Sequence, residues 1–229
     1  MLGEVEPDVD DQSYWEPRRC LREPIAELYQ AAAFLDRGAG AHLAGDHLRA
    51  GALFRAANTG TVRDYIESMW GKRALWPEQQ HYLRRRKVDN LPLATPEVRG
   101  MKIATVTKRE VVKRDGFLCR YCELPVIPAS VRDALSWEYP IEITWEKTND
   151  GQHAAFQALW LQYDHVVPLS GGGKNDAENI VVSCAACNFM KWNYHLEEIG
   201  VCDPRDHAPV TSCWDGLSRL LGGPERCPL

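Results

Sequence analysis

At 229 residues, with 45% hydrophobic and 26% charged residues, the chain has the composition of a globular protein able to bury one core, or a smaller core beside an accessory domain, which excludes a fibre and wholesale disorder. No run of about 18 apolar residues is present to span a bilayer, and the acidic start lacks the basic and apolar stretches of a signal peptide, so the expected setting is cytoplasmic, without a membrane. The net charge of -5 is uneven: residues 1–16 hold six acids and no base, whereas Lys72 to Arg120 holds thirteen Lys and Arg against five Asp and Glu, a basic segment that suits nucleic acid but that a solvated helix surface also produces.

Residues 1–23, acidic and containing Pro7 and Pro17, read as a flexible arm. Residues 24–100 read as an α-helical accessory domain with a linker. Ile25, Leu28, Tyr29, Ala32 and Leu35 recur at helical spacing, a glycine-containing break is expected next, and Leu43, His47, Leu48, Leu53, Phe54 and Ala57 form a second stripe. Thr61 resembles the start of a third helix, with Val62, Tyr65, Ile66 and Met69 on one face, and Pro77 the start of a fourth that runs into Arg84, Arg85, Arg86 and Lys87. Two prolines within residues 91–96 oppose helix and mark a linker. Residues 107–114 form a short helix that Asp115-Gly116 stops.

Cys119-x-x-Cys122 and Cys184-x-x-Cys187 have the spacing of two halves of one tetrahedral zinc site, because two intervening residues in a tight turn let both thiolates reach one ion. Four buried or redox-active cysteines would be the other reading, but redox pairs usually come singly. With all four ligands cysteine no position stays open, so such an ion is structural. Cys20, Cys202, Cys213 and Cys227 share no ligand spacing and read as core or surface thiols, with a second site from Cys202, His207 and Cys213 the poorer alternative.

Between the two pairs, residues 161–167 read as a strand, Ser170 to Gly173 as a loop, residues 179–183 as a second strand and residues 185–196 as a helix. Residues 123–163 form an insert with six acids against two bases. In it residues 141–145 alternate like a strand, residues 152–161 suggest a short helix, and His153 with Trp137, Trp145 and Trp160 suggests a local core. Residues 201–229 remain as a C-terminal extension.

The order Arg114-Asp-Gly-Phe-Leu-Cys-Arg-Tyr-Cys122, Asp164-His-Val-Val-Pro-Leu-Ser-Gly-Gly172, Asn179 and Cys184-Ala-Ala-Cys-Asn-Phe-Met-Lys191 resembles the zinc-stapled branch of the HNH endonucleases over residues 101–200. That resemblance implies an α+β chain: a C-terminal ββα-metal nuclease domain with a structural four-cysteine zinc site, preceded by a small α-helical domain. It implies His165 as general base, Asp164 and Asn188 as ligands of a catalytic Mg²⁺ or Mn²⁺, and Asn179 as the residue that ties the loop holding His165. Asn188 stands where many members carry a final histidine.

The implied activity is hydrolysis of DNA phosphodiester bonds, in a setting such as bacterial restriction or anti-phage defence. Its rivals are a non-catalytic zinc module that binds nucleic acid or a partner protein, and an RNA-directed nuclease. Lys191 is a candidate phosphate contact, or else a solvated lysine. His195, seven residues past Asn188 on the expected helix, is placed two turns from the metal in a structural or DNA-facing role. Arg84, Arg85 and Arg86 are further candidate DNA contacts, and the helical region or the insert is the candidate surface for a protein partner.

Overall fold

The computed structural model describes residues 15–70, 85–91 and 102–222. The acidic stretch 1–14, residues 77–84 of the helix expected from Pro77, Arg84 among them, most of the 91–96 linker and Cys227 lie outside the described residues, and Arg85 to Lys87, expected to end that helix, are not helical. Among the described residues no helix is long and apolar enough to cross a membrane.

Three helices open the fold: α1 (Ala26–Leu43), α2 (His47–Ala57) and α3 (Gly60–Met69). The break expected after Leu35 does not occur, and α1 continues through Gly38 and Gly40 to Leu43. Gly38 instead makes room for α2: a Cβ there would lie 2.5 Å from a ring carbon of Phe54, whose side chain is wholly buried. The helix pair therefore gains the burial of a phenylalanine, about 1.5–3 kcal/mol, in return for the weak helix propensity of glycine, about 1 kcal/mol. The true corner is Ala44–Gly45, where Gly45 has φ +79°. Leu43 and Leu48, placed on the apolar stripe by spacing, are exposed, and Ala50, Phe54 and Ala57 carry the buried face. Thr59, not Thr61, caps α3, its hydroxyl accepting from the Val62 amide at 3.3 Å. Val62, Tyr65, Ile66 and Met69 are buried as their periodicity requires.

The remainder is α4 (Thr105–Asp115), α5 (Ala129–Glu138), α6 (Ala154–Ala158), strands β1 (Leu161–His165) and β2 (Ile180–Cys184), α7 (Ala185–Lys191) and α8 (Leu196–Ile199). The strands form a two-stranded antiparallel sheet in which Leu161 faces Cys184 and His165 faces Ile180. Such a ribbon is marginal alone, and here α4 and α7 pack on it. Asp115 ends α4 inside the protein. Its carboxylate accepts from the Val182 amide at 2.9 Å and from Arg114 and Arg120, while Arg114 also donates to the Ile180 carbonyl at 2.6 Å. Gly116, at φ +68°, then turns the chain toward Cys119.

The helical region shares one continuous core with the nuclease-like part, α3 lying against α6 and α7. Residues 15–23 also depart from expectation. Arg18 pairs with Val201 through main-chain bonds of 2.9 and 2.8 Å, and Cys20 and Leu21 are buried, so this end of the expected arm is part of the fold. The extension packs back as well: the Trp214 indole donates to the Val126 carbonyl, and Arg219 pairs with both Asp215 and Asp36 of α1.

Within the insert the expected strand at 141–145 is absent; Trp145 makes only an isolated bridge with Gln152, and α6 covers 154–158 of the expected helix. Trp145 and Trp160 meet edge to face around Arg132, but Trp137 is 90% exposed and lies outside that core. His153 is fully buried. One ring nitrogen donates to the Phe54 carbonyl at 2.9 Å and the other accepts from the Phe156 amide, capping α6, and burial lowers its pKa to about 4.

Candidate active site

The loop between β1 and β2 is closed by one side chain. Asn179 accepts from the Val167 amide at 2.9 Å through Oδ1 and donates through Nδ2 to the Val167 and Lys174 carbonyls at 2.9 and 3.0 Å. A buried amide with its donors and acceptor engaged replaces the missing ladder bonds of the loop. Gly173 sits inside this knot, where a Cβ would lie 1.9 Å from the Val167 oxygen. The loop thereby fixes the strand end that carries His165.

His165 Nε2 lies 2.7 Å from Oδ1 of Asn175. An amide oxygen only accepts, so the contact places the imidazole proton on Nε2 and leaves Nδ1 as the basic nitrogen. Asn175 carries no spacing signal and sequence reasoning missed it; its only cue is its position in the glycine loop.

Asp164 is buried next to it. Its Oδ2 accepts from the Tyr121 hydroxyl at 2.6 Å and its Oδ1 lies 3.3 Å from Nζ of Lys191. Burial raises the carboxyl's pKa, and Lys191, Tyr121 and His165 act in the opposite direction. Lys191 also donates to the main-chain oxygen of His165 at 2.6 Å. Lys191 is buried and not solvated as one expectation had it, and it is turned to Asp164 and β1 because the last turn of α7 packs on that strand.

Asp164, His165 and Asn188 open onto one cavity of about 540 Å³, which Met69 at the end of α3, Trp70 just after it and Trp192 also line. The Asn188 amide nitrogen lies 3.5 Å from Gln162 Oε1, which orients Oδ1 as the remaining acceptor. One carboxylate and one amide oxygen form a sparse, hard donor set. It fits Mg²⁺ or Mn²⁺, ions that keep several waters and take further oxygens from a substrate phosphate.

Behind the cavity, Cys119, Cys122, Cys184 and Cys187 are all buried with their sulfurs within 4.8 Å of one another, and Cys122 and Cys184 are 3.7 Å apart. A tetrahedron with Zn–S bonds of ~2.3 Å has edges of about 3.8 Å, which the Cys122–Cys184 separation matches. The Cys184 sulfur accepts from the Cys187 amide and caps α7. Cys20 lies beside the cluster without joining it; burial first and Glu23 second push its thiol pKa up, which keeps it neutral. Residues 154–200 match the model of the HNH endonuclease family.

Residues 154–200 carry an HNH domain. Comparison with curated proteins and with solved structures finds no match. The match begins at α6 and runs through both strands, α7 and α8, so it contains the Asp164–His165 pair, Asn179 and Asn188 but only the second half of the four-cysteine cluster. The first half, Cys119 and Cys122, reaches the HNH domain through the fold.

Three other expected residues have protein partners of their own. The helix after Cys184 ends at Lys191, where Trp192 takes φ 50°, so His195 is not two turns along it. His195 is buried at the start of α8, its amide donating to Glu198, and its ring fills the space over Gly171, where a Cβ would lie 2.0 Å from Nε2. This is a structural position under the glycine loop. Arg85 stacks on the Tyr194 ring at 4.2 Å, and Arg86 donates to the Glu197 and Glu198 carbonyls of α8 at 2.7 and 2.8 Å, so both attach residues 85–91 to the HNH domain.

Proposed function

We propose that this chain is a metal-dependent HNH endonuclease that hydrolyses phosphodiester bonds of DNA, leaving 5′-phosphate and 3′-hydroxyl ends. The observation that carries the reading is the convergence of Asp164, His165 and Asn188 on one cavity within the matched segment.

In this reading His165 Nδ1 removes the proton from an attacking water, whose oxygen bonds to phosphorus as the bond to the 3′ oxygen breaks. Asn175 holds the ring in the tautomer that leaves Nδ1 free, and Asn179 and Gly173 hold the loop. Asp164 and Asn188 would hold a divalent cation, which would supply charge stabilisation for the phosphate and the departing oxygen. Lys191 balances the buried Asp164 charge from the side of the core. The four cysteines hold one structural zinc, which joins the turn after α4 to the first turn of α7. The basic residues between Lys72 and Arg120 favour a polyanionic substrate. A place in restriction or anti-phage defence is carried by the resemblance alone.

The test is incubation of supercoiled plasmid with the purified protein and Mg²⁺ or Mn²⁺ beside His165→Ala. Nicked or linear product from the wild type, reduced by about 10²–10⁴-fold in the variant at equal zinc content, supports the reading. Intact plasmid under both ions, with equal inertness toward RNA, refutes it.

A further inference from the structure

The second cluster of metal-ligating side chains among the described residues lies away from the catalytic cavity, at the seam between the helical region and the insert. His42 ends α1, His47 begins α2, and Glu138 with Tyr139 ends α5. Both imidazoles turn Nδ1 inward. His42 Nδ1 is 3.4 Å and His47 Nδ1 3.5 Å from the same carboxylate oxygen, Glu138 Oε1, and both are 2.9 Å from the Tyr139 hydroxyl.

These distances have a specific meaning. Ligand atoms held about 2.0–2.2 Å from a tetrahedral ion are about 3.3–3.6 Å from one another, a range that holds the separation of each imidazole nitrogen from the carboxylate. Without an ion, Tyr139 donates its one proton to one imidazole and accepts from the other; an ion held with Glu138 would take both Nδ1 lone pairs in their place. The frame is also rigid. The α1–α2 corner is closed by bonds from Gly45 to His42 and from Asp46 to Ala41, Asp46 caps α2, and the Tyr139 ring lies edge to face on buried Phe54.

We propose that His42, His47 and Glu138 bind a divalent transition ion of the zinc class, with Tyr139 as neighbour. Two imidazoles and a carboxylate suit Zn²⁺ and are poor ligands for Mg²⁺, so this site is chemically separate from the oxygen donors of the cavity. His47 and Glu138 are 58% and 45% exposed, which gives the ion a path in and leaves a coordination position for water. Filled, the site clamps the α1–α2 corner to the end of α5, in parallel with the Arg55–Glu142 pair at 2.8 Å. It joins the helical region to the insert, as the four cysteines join the two halves of the HNH domain.

The experiment is equilibrium dialysis of the intact protein against micromolar Zn²⁺ with millimolar Mg²⁺ present to occupy the cavity, followed by metal analysis and thermal melting. The wild type and His165→Ala should each retain about two zinc per chain. His47→Gln and Glu138→Gln, which alter exposed side chains, should retain about one, and the added zinc should raise Tm by several degrees only where the second ion binds. A wild type that retains one zinc, or variants that still retain two, would overturn the proposal. A wild type with two zinc but no nuclease activity would leave this site standing and remove the proposed function.

Discussion

Lys191 Nζ lies 3.3 Å from the Asp164 carboxylate, and both side chains are almost wholly buried where Asp164 borders the cavity. Two charges removed from water depend on one another, and Tyr121 supplies the remaining hydrogen bond. Lys191→Met should therefore cost about 3–5 kcal/mol in urea unfolding, because it leaves an uncompensated buried carboxylate. The double variant Lys191→Met/Asp164→Asn should be less destabilised than the single one. Equal destabilisation of the two would show that the pair is not coupled.

Asn175 is a loop residue whose amide oxygen faces His165 Nε2. Asn175→Ala should leave the thermal unfolding curve near that of the wild type and lower plasmid cleavage by about 10–100-fold, the scale seen when an orienting partner of a working imidazole is removed. Asn175→Asp should keep most of the activity, since a carboxylate oxygen accepts the same proton. Undiminished cleavage by Asn175→Ala would rule out tautomer control.

Gly173→Ala places a methyl group 1.9 Å from the Val167 oxygen and 2.7 Å from the Asn179 amide nitrogen. The loop must open to admit it, at a cost of about 1–3 kcal/mol, and His165 moves with the strand end. Cleavage should fall further than stability does, measured as relative rate against denaturation midpoint. Gly40→Ala, at a position with open space, is the control.

His153 is neutral in the fold, with a pKa of about 4 set first by burial. Its unfolded value is about 6.5, so the unfolded chain binds the proton first and stability falls as pH drops from 6.5 toward 4. The full loss is about 3 kcal/mol, from ~1.4 kcal/mol per pH unit. Urea midpoints at pH 7 and pH 4.5 should show it, and His153→Gln should be less stable at neutral pH but lose less on acidification.

Removal of metal should be the largest perturbation. Structural zinc contributes apparent free energies of about 10–16 kcal/mol, more than a typical domain's net stability. A strong chelator at pH 7, or Cys119→Ser, should abolish the cooperative unfolding transition of the C-terminal half in circular dichroism. A chelated protein that melts as before would show that the staple is dispensable.

Much of the HNH domain was legible because its signals are local. Cys-x-x-Cys spacing, a glycine turn between two β-branched runs and Asp-Gly after a helix each restrict the backbone over a few residues, and the strands and knuckles lie where those signals put them. The misreadings came from contacts between segments distant in sequence. Gly38 looked like a break because its packing against Phe54 is a property of two helices. Lys191 looked like a surface charge because its partner lies 27 residues earlier on a strand.

The sequence by itself determined the two cysteine pairs and the β1–loop–β2–α7 order, since short-range geometry and one family pattern suffice for these. Only the tertiary structure decided which charges are buried, that Asn175 faces His165, that α3 walls the cavity, and that His42, His47 and Glu138 meet. Those relationships depend on how chain segments dozens of residues apart pack to exclude water, and hydrophobic burial, being non-directional, leaves no local mark of which segments will meet.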